Sequence, residues 1–284
     1  MNTAVINCKI CSSGASFLTL LGDLSLYVCR KCGLTFIGNT FSSQELADYY
    51  DNQGTWYYDN VALNSHTKNT EAIRDLSRLP ITSVLDVGCG DGSFLQQLRQ
   101  LGIRKLCGLE LSPVLARAAR EKGLEVECKS IEHIDDNFEL LTLLDVAEHV
   151  QYPSQFFSSC SRALKTKGFI YIHTPRRCFW DEVFIRLVMF AITKKLARVW
   201  LNSRLSMAHL QLWSDRALSR AIDKAGMRVL EYRKELELSW PLEKYVNHYL
   251  SAFSPAIRRA ATVLIKVLIM PTMKNKAVVL AQKA

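Results

Sequence analysis

Beyond residue 80, short apolar runs alternate with stretches whose apolar positions recur at helical spacing. The runs at 83–87, 106–111, 124–128, 138–144 and 169–174 are rich in Val, Ile, Leu and Phe and read as strands. The stretches 93–101, 112–122 and 154–164 read as helices, the second capped by Ser112-Pro113. Strict alternation of this kind predicts an α/β fold, a doubly wound parallel sheet with helices on both faces. A helix over 214–225, a sixth strand over 227–235 and a late strand over 277–281, the hairpin partner of the sixth, extend it. A helix over 66–79, stopped by Pro80, leads in. The first forty residues follow another rhythm: 16–21 and 24–28 alternate as short strands turning at Gly22-Asp23. The chain thus divides into a small module at 1–40, a linker at 41–79 and a main domain at 80–284. That domain carries an insertion at 176–208 and a basic apolar segment at 236–276.

Cysteine spacing explains how so small a module can fold. Cys8-Lys9-Ile10-Cys11 and Cys29-Arg30-Lys31-Cys32 are two CxxC knuckles flanking the strands. Four thiolates at this spacing suit tetrahedral zinc, and a unit with little core needs such a staple. A closed four-cysteine site leaves no coordination position for chemistry, so Cys8, Cys11, Cys29 and Cys32 are expected to hold structural Zn²⁺. Cys89, Cys107, Cys128, Cys160 and Cys178 fall in predicted core elements, where cysteine acts as a small hydrophobe. That usage suits a reducing cytoplasm. No secretory signal is legible, and the apolar runs at 183–192 and 260–270 are shorter than the ~18–20 residues that span a bilayer.

The stretch Asp86-Val87-Gly88-Cys89-Gly90-Asp91-Gly92-Ser93 sits where the first predicted strand meets its helix. Glycines there let bare backbone and a helix N-terminus approach a ligand. The spacing is G-x-G-x-G, with Ser93 where the dinucleotide fingerprint has its third glycine. Glu110 ends the second strand, 22 residues after Gly88, where a carboxylate can accept from both hydroxyls of a ribose. Together with Leu144-Asp145-Val146-Ala147-Glu148-His149, the Lys167-Gly168 turn and His173-Thr174-Pro175, this pattern resembles the class I S-adenosylmethionine (SAM) dependent methyltransferases over residues ~80–235. The resemblance implies a Rossmann-like seven-stranded sheet and a SAM site built from Asp86, Gly88, Cys89, Gly90, Gly92, Glu110, Leu111, Ser130, Ile131 and Asp145. Relatives often carry an acidic residue beside the adenine where this chain has Ser130.

Methyl transfer is an in-line displacement, so alignment and exclusion of water carry much of it. A hydroxyl acceptor must also lose a proton, for which His209, His149 and His173 are the candidate bases. His209 stands first, because His209-Leu210-Gln211-Leu212-Trp213-Ser214 resembles a segment that many small-molecule members carry before their penultimate helix. The Asp145-x-x-Glu148-His149 segment is similar to ubiquinone-type O-methyltransferases, some of which bind a divalent ion there. The N-terminal cysteine module, with Cys32-Gly33-Leu34-Thr35-Phe36 after its last knuckle, resembles bacterial enzymes of sugar and surface-polysaccharide biosynthesis.

Charge adds a partner. The net charge is +9, with 23 Lys+Arg against 8 Asp+Glu in 160–284 and 13 against 19 in 1–159. A basic C-terminal half suits an anionic partner. In the insertion, Trp180, Val183, Phe184, Leu187, Val188, Ala191, Ile192 and Val199 fall at helical spacing opposite a polar side; 257–270 is a second apolar stretch with Arg258, Arg259 and Lys266. Both read either as lid and core helices or as basic amphipathic segments that dock peripherally at the inner membrane face. The aromatics Tyr49, Tyr50, Trp56, Tyr57 and Tyr58 of the linker suit a lid or inter-module packing. The leading expectation is O-methylation of a sugar, glycolipid or related small metabolite, with a small-molecule or lipid-linked glycan acceptor, in the cytoplasm. The alternatives are an RNA-modifying enzyme using zinc module and basic surface, a metal-assisted quinone-type O-methyltransferase, and a non-catalytic SAM-binding regulator. The absence of an Asn/Asp-Pro-Pro-aromatic motif after the fourth strand counts against nucleic-acid bases as acceptors.

Overall fold

The computed structural model describes residues 6–42, 45, 46, 69–189, 200, 201, 204–207, 209–238, 241–251 and 253–284. The linker aromatics from Tyr49 to Tyr58 lie outside the described residues, as do Ala191, Ile192 and Val199 of the insertion.

The chain opens with strands β1 (Ile6–Asn7), β2 (Gly14–Leu21), β3 (Leu24–Cys29) and β4 (Thr35–Ile37). Helical residues 69–76 lead into β5 (Ser83–Val87), α1 (Ser93–Arg99), β6 (Lys105–Leu109), α2 (Pro113–Glu121) and β7 (Glu125–Glu127). Next come β8 (Phe138–Leu144), α3 (Pro153–Arg162), β9 (Leu164–Pro175) and α4 (Phe179–Met189). Then β10 (Gln211–Leu212), α5 (Asp215–Lys224), β11 (Met227–Glu235), α6 (Leu242–Tyr249), α7 (Pro255–Leu264) and β12 (Lys276–Lys283) complete the order.

Seven strands form one sheet in the order β11-β12-β9-β8-β5-β6-β7. The pairs around β5, β6, β8 and β9 are parallel, and β12 runs antiparallel between β9 and β11. The late strand therefore pairs with the sixth as expected and also inserts between it and the fifth.

Both faces are covered, as the period-2 pattern requires. Leu85, Leu141, Leu143, Ile170 and Ile172 pack with Phe156 and Phe157 of α3 and Ala217 and Leu218 of α5. Val84, Leu140, Tyr171 and Val278 point the other way, to Ala72 and Leu76, Phe94, Leu95 and Leu98 of α1, and Ala116 and Ala119 of α2. Ser112 caps α2, accepting from Leu115 N, with Pro113 at the first helical position. Cys128 departs from the core expected of it: β7 stops at Glu127 and Cys128 is exposed, while Cys89, Cys107, Cys160 and Cys178 are buried.

The N-terminal strands form a second, antiparallel sheet, and its fifth member is β10 from the main domain, paired with β4. Ile37 N also donates to Leu210 O at 2.9 Å. Ile10, Leu34, Phe36 and the four knuckle cysteines share one continuous core with Phe157 and Trp213. Side chains of the main domain bond the knuckle backbone: Ser154 Oγ donates to Lys9 O (2.7 Å), Lys224 Nζ to Ile10 O (2.8 Å) and Ser214 Oγ to Cys32 O. The insertion packs on this module as well. Phe184 and Ile185 of α4, Leu201 and Leu205 join Leu21, Leu26 and Ile37, and Trp200 stacks on Phe184. Among the described residues no helix is long and apolar enough to cross a membrane.

Candidate active site

Strand order reverses at β5, whose neighbours β6 and β8 are fed by crossovers on opposite faces. The crevice beyond the carboxyl ends of such strands is where this architecture binds ligands. The glycine loop lies there. Gly88, Gly90 and Gly92 adopt φ of 74°, 56° and 77°, a left-handed backbone that side chains resist. A Cβ on Gly88 would also come within 2.6 Å of Val146 Cγ2. The amides of Gly88 and Cys89 both donate to Leu109 O, at 2.7 and 3.0 Å, which folds the loop back over the end of β6.

Glu110 follows directly. Its carboxylate accepts from Gly90 N (2.9 Å) and Ser112 N (2.8 Å), so it ties the loop to the start of α2. Burial pushes its carboxyl above the ordinary range although these amides oppose the shift. A desolvated carboxylate with lone pairs to spare fits a ribose diol, and the apolar Leu111 beside it is 71% exposed. Asp86, near the end of β5, is buried and accepts from Thr142 Oγ1 at 2.6 Å. Ser130 is half-buried ahead of a 3₁₀ turn, and Ile131 points into the core. Asp91 accepts from Ser93 Oγ (2.7 Å) and Lys122 Nζ (2.6 Å), so it locks the start of α1.

Across the crevice, β8 and β9 end in two groups. In the first, Asp145 sits at φ 58° and its amide donates to His173 O at 2.8 Å. The buried His173 ring lies between Asp145 Oδ1 (Nδ1, 3.0 Å) and Glu237 Oε2 (Nε2, 2.9 Å), while Lys276 Nζ reaches Asp145 at 2.6 Å. Burial works against the imidazolium, but the two carboxylates outweigh it and raise the His173 pKa. Both ring nitrogens are occupied, so the geometry makes His173 a buried strut.

The second group is Glu148, His149 and His209, whose ligand atoms lie within 4.8 Å of one another. Glu148 is fully buried. Its Oε2 accepts from Thr174 Oγ1 at 2.9 Å, while Oε1 has no hydrogen-bond partner among the described residues and lies 3.8 Å from His149 Nε2. Burial raises its pKa. His149 and His209 meet edge to face with centroids 5.0 Å apart. Gln211 Nε2 donates to Ala147 O (2.7 Å) and Val150 O (2.8 Å), so β10 stitches down the loop that carries the cluster. Burial, aided by His149 and Lys276, pushes His209 down to about 3. A neutral imidazole of this kind suits ligation better than general-base catalysis.

The four knuckle cysteines converge at the other side of the core. Cys8 Sγ lies 3.5 Å from Cys32 Sγ, and Cys11 Sγ 3.4 Å from Cys29 Sγ, all within 4.8 Å. A zinc tetrahedron with bonds of about 2.3 Å has sulfur–sulfur edges of about 3.8 Å. The donor set therefore fits zinc. The Cys32 sulfur draws Cys8 down to about 5, and the same contact together with burial pushes Cys32 up.

The sequence names the loop, Glu110, Asp86, His149 and His209 one by one, and the structure joins Glu110 to the loop and sets His149 and His209 together beside Glu148. Glu237 and Lys276 belong to no motif, and Thr174 and Gln211 stand in motifs whose histidines alone were assigned chemistry.

A family model described as a methyltransferase domain matches residues 42–232. A ubiquinone biosynthesis O-methyltransferase from Nitrosococcus oceani is 33% identical over 117 residues, covering 38% of this chain and 49% of that protein. A protein of the same name from Xanthomonas oryzae is 28% identical over 186 residues, covering 61% and 76%. The chain thus spans about half the length of the first of these relatives. Among solved structures, magnesium protoporphyrin IX methyltransferase from Synechocystis, with bound SAH, superposes with a TM-score of 0.57 at 10% identity, covering 86% of this chain and 100% of that one, a likeness of fold.

Proposed function

The chain belongs to the methyltransferase-domain family and is a SAM-dependent enzyme, and on that premise we propose that it methylates a phenolic, quinone-type hydroxyl. The observation that carries this reading is the Glu148–His149–His209 group across the crevice from the glycine loop, in a chain whose relatives are named ubiquinone biosynthesis O-methyltransferases. Those names favour a quinone-type acceptor over the sugar expected from the cysteine module.

In this reading Gly88–Gly92 backs the cofactor and Glu110 holds its ribose. The wall of Glu148, His149 and His209 meets the acceptor. The unpartnered Glu148 Oε1 and a neutral His209 fit a divalent cation, which these three residues would hold. Bound there, a cation lowers the pKa of an acceptor hydroxyl and orients it. His149, whose Nε2 lies 3.8 Å from Glu148 Oε1, is the third of these ligands, and the proton of the acidified acceptor hydroxyl would pass to solvent. Asp145 is committed to His173 and Lys276 and positions the loop. The four cysteines hold zinc structurally.

The test incubates the full chain and labelled SAM with a catechol, a sugar nucleotide and structured RNA in parallel. Methyl transfer to the catechol, lost on adding a chelator and restored by Mn²⁺, a divalent ion that accepts mixed carboxylate and imidazole ligands, is expected. Transfer to sugar or RNA alone would overturn the reading.

A further inference from the structure

Residues 238–275 leave the sheet between β11 and β12 and return to it. Because β11 runs parallel to β9, this excursion departs from the carboxyl edge of the sheet, the edge that carries the glycine loop. Its neck is clamped: Glu237 N donates to Asn275 Oδ1 at 2.9 Å, and Asn275 Nδ2 returns to Glu237 O at 2.7 Å. Beyond the neck, α6 and α7 pack together, and the helix continues through 265–272 as a π turn and a 3₁₀ turn. No residue of α7 or of these turns is buried.

The exposed side is apolar. Ile257, Val263, Leu264, Val267 and Leu268 are 51–64% exposed and, with Ala260, recur at helical spacing along one face. Arg258, Thr262 and Ile265 turn inward, while Arg259 and Lys266 edge the apolar stripe. Phe253, 51% exposed, extends it at one end. At the other, Trp180 Nε1 bonds Thr272 Oγ1 at 3.1 Å beside the exposed Phe179. Lys244, Arg258, Arg259, Lys266, Lys274, Lys276 and Lys283 are the charged residues of 244–284, with no Asp or Glu among them.

We propose that the arm at 253–272 is an interfacial anchor that lays the carboxyl edge of the sheet on an anionic lipid bilayer. An apolar stripe bordered by cations matches such a surface, its apolar side entering the acyl boundary and its cations meeting the headgroups. The arm is too short to cross. A second copy of this chain is a poor occupant, because self-docking would set Arg259 and Lys266 against their own like charges. RNA would satisfy the cations but leave the aliphatic stripe in water, with no aromatic platform along it. The other amphipathic stretch takes no part through Phe184 and Ile185, which the N-terminal sheet covers. The anchor stands independently of the acceptor proposed above, since its readout is binding.

The experiment is flotation of the full chain with vesicles of phosphatidylcholine alone or containing phosphatidylglycerol. Wild type should float with the anionic vesicles and remain below with the neutral ones. Arg259→Gln/Lys266→Gln should lower the partition roughly thirtyfold, about fivefold per cation. Val267→Asn/Leu268→Asn should also release the chain, with melting temperature and SAM affinity unchanged because these side chains face solvent. No flotation, or flotation unaltered by either pair, would overturn the proposal. So would light scattering that shows a dimer which Val267→Asn/Leu268→Asn dissociates, or RNA binding that Arg259→Gln/Lys266→Gln abolishes, in a chain that ignores vesicles.

Discussion

Glu110 and His173 are both buried ionisable groups, and burial acts on them in opposite directions. Glu110 is desolvated yet accepts two backbone amides, so it waits as a preformed acceptor. Glu110→Ala should weaken SAM binding by about 1–3 kcal/mol, the loss of a charged hydrogen-bond partner; unchanged calorimetric affinity would remove it from the ribose site. The His173 ring lies between Asp145 and Glu237, which favour its charged form against burial and against Lys276, the second cation on the same two carboxylates. Its pKa is raised on folding, so its stabilisation is complete below the unfolded value of about 6.5 and is lost as pH rises through the higher folded value. Melting temperature should therefore fall as pH is raised above about 6.5, and His173→Gln should flatten that slope. Equal slopes in the two proteins would show that the charge contributes nothing.

At the scale of elements, β10 is two residues long and joins three things. Its backbone extends the N-terminal sheet, Gln211 binds the loop bearing Glu148, and Trp213 just beyond is fully buried against Phe157. Ser214 then caps α5, accepting from Ala217 N at 3.0 Å, and donates to Cys32 O. The cysteine module is therefore a wall of the main core and cannot come loose alone. Metal analysis should find about one zinc per chain. Stripping it should lower the melting temperature of the whole chain in a single transition and weaken methyl transfer, because the strand that positions Glu148 is paired to the module. A zinc-free chain that melts unchanged would refute both.

Across the whole molecule, two crevice walls come from different sources. The cofactor wall is built from one continuous stretch and a carboxylate at the end of the next strand. The polar groups facing it, proposed above to meet the acceptor, come from the ends of β8 and β9, from the segment leading into β10 and from the neck of the arm. The arm itself follows from charge and periodicity, but its exposure does not. Both 176–208 and 257–270 carry apolar faces in the sequence, and the structure packs Phe184, Ile185, Trp200, Leu201 and Leu205 of the first on the N-terminal sheet and leaves the second bare.

What the sequence determined is local in origin. Alternating periods of 2 and 3.6 fix strands, helices and the two faces of the sheet, the glycines at 88, 90 and 92 fix a left-handed loop, and two CxxC knuckles converge. Each of these rests on neighbours a few residues apart or on backbone geometry. Tertiary structure decided the rest: that His173 lies between two carboxylates, that Lys276 reaches Asp145 from 131 residues away, and that β10 ties module to loop. Those outcomes depend on which buried charge finds a partner and which apolar face finds cover. Only strand order settles such questions, and no spacing along the chain encodes it.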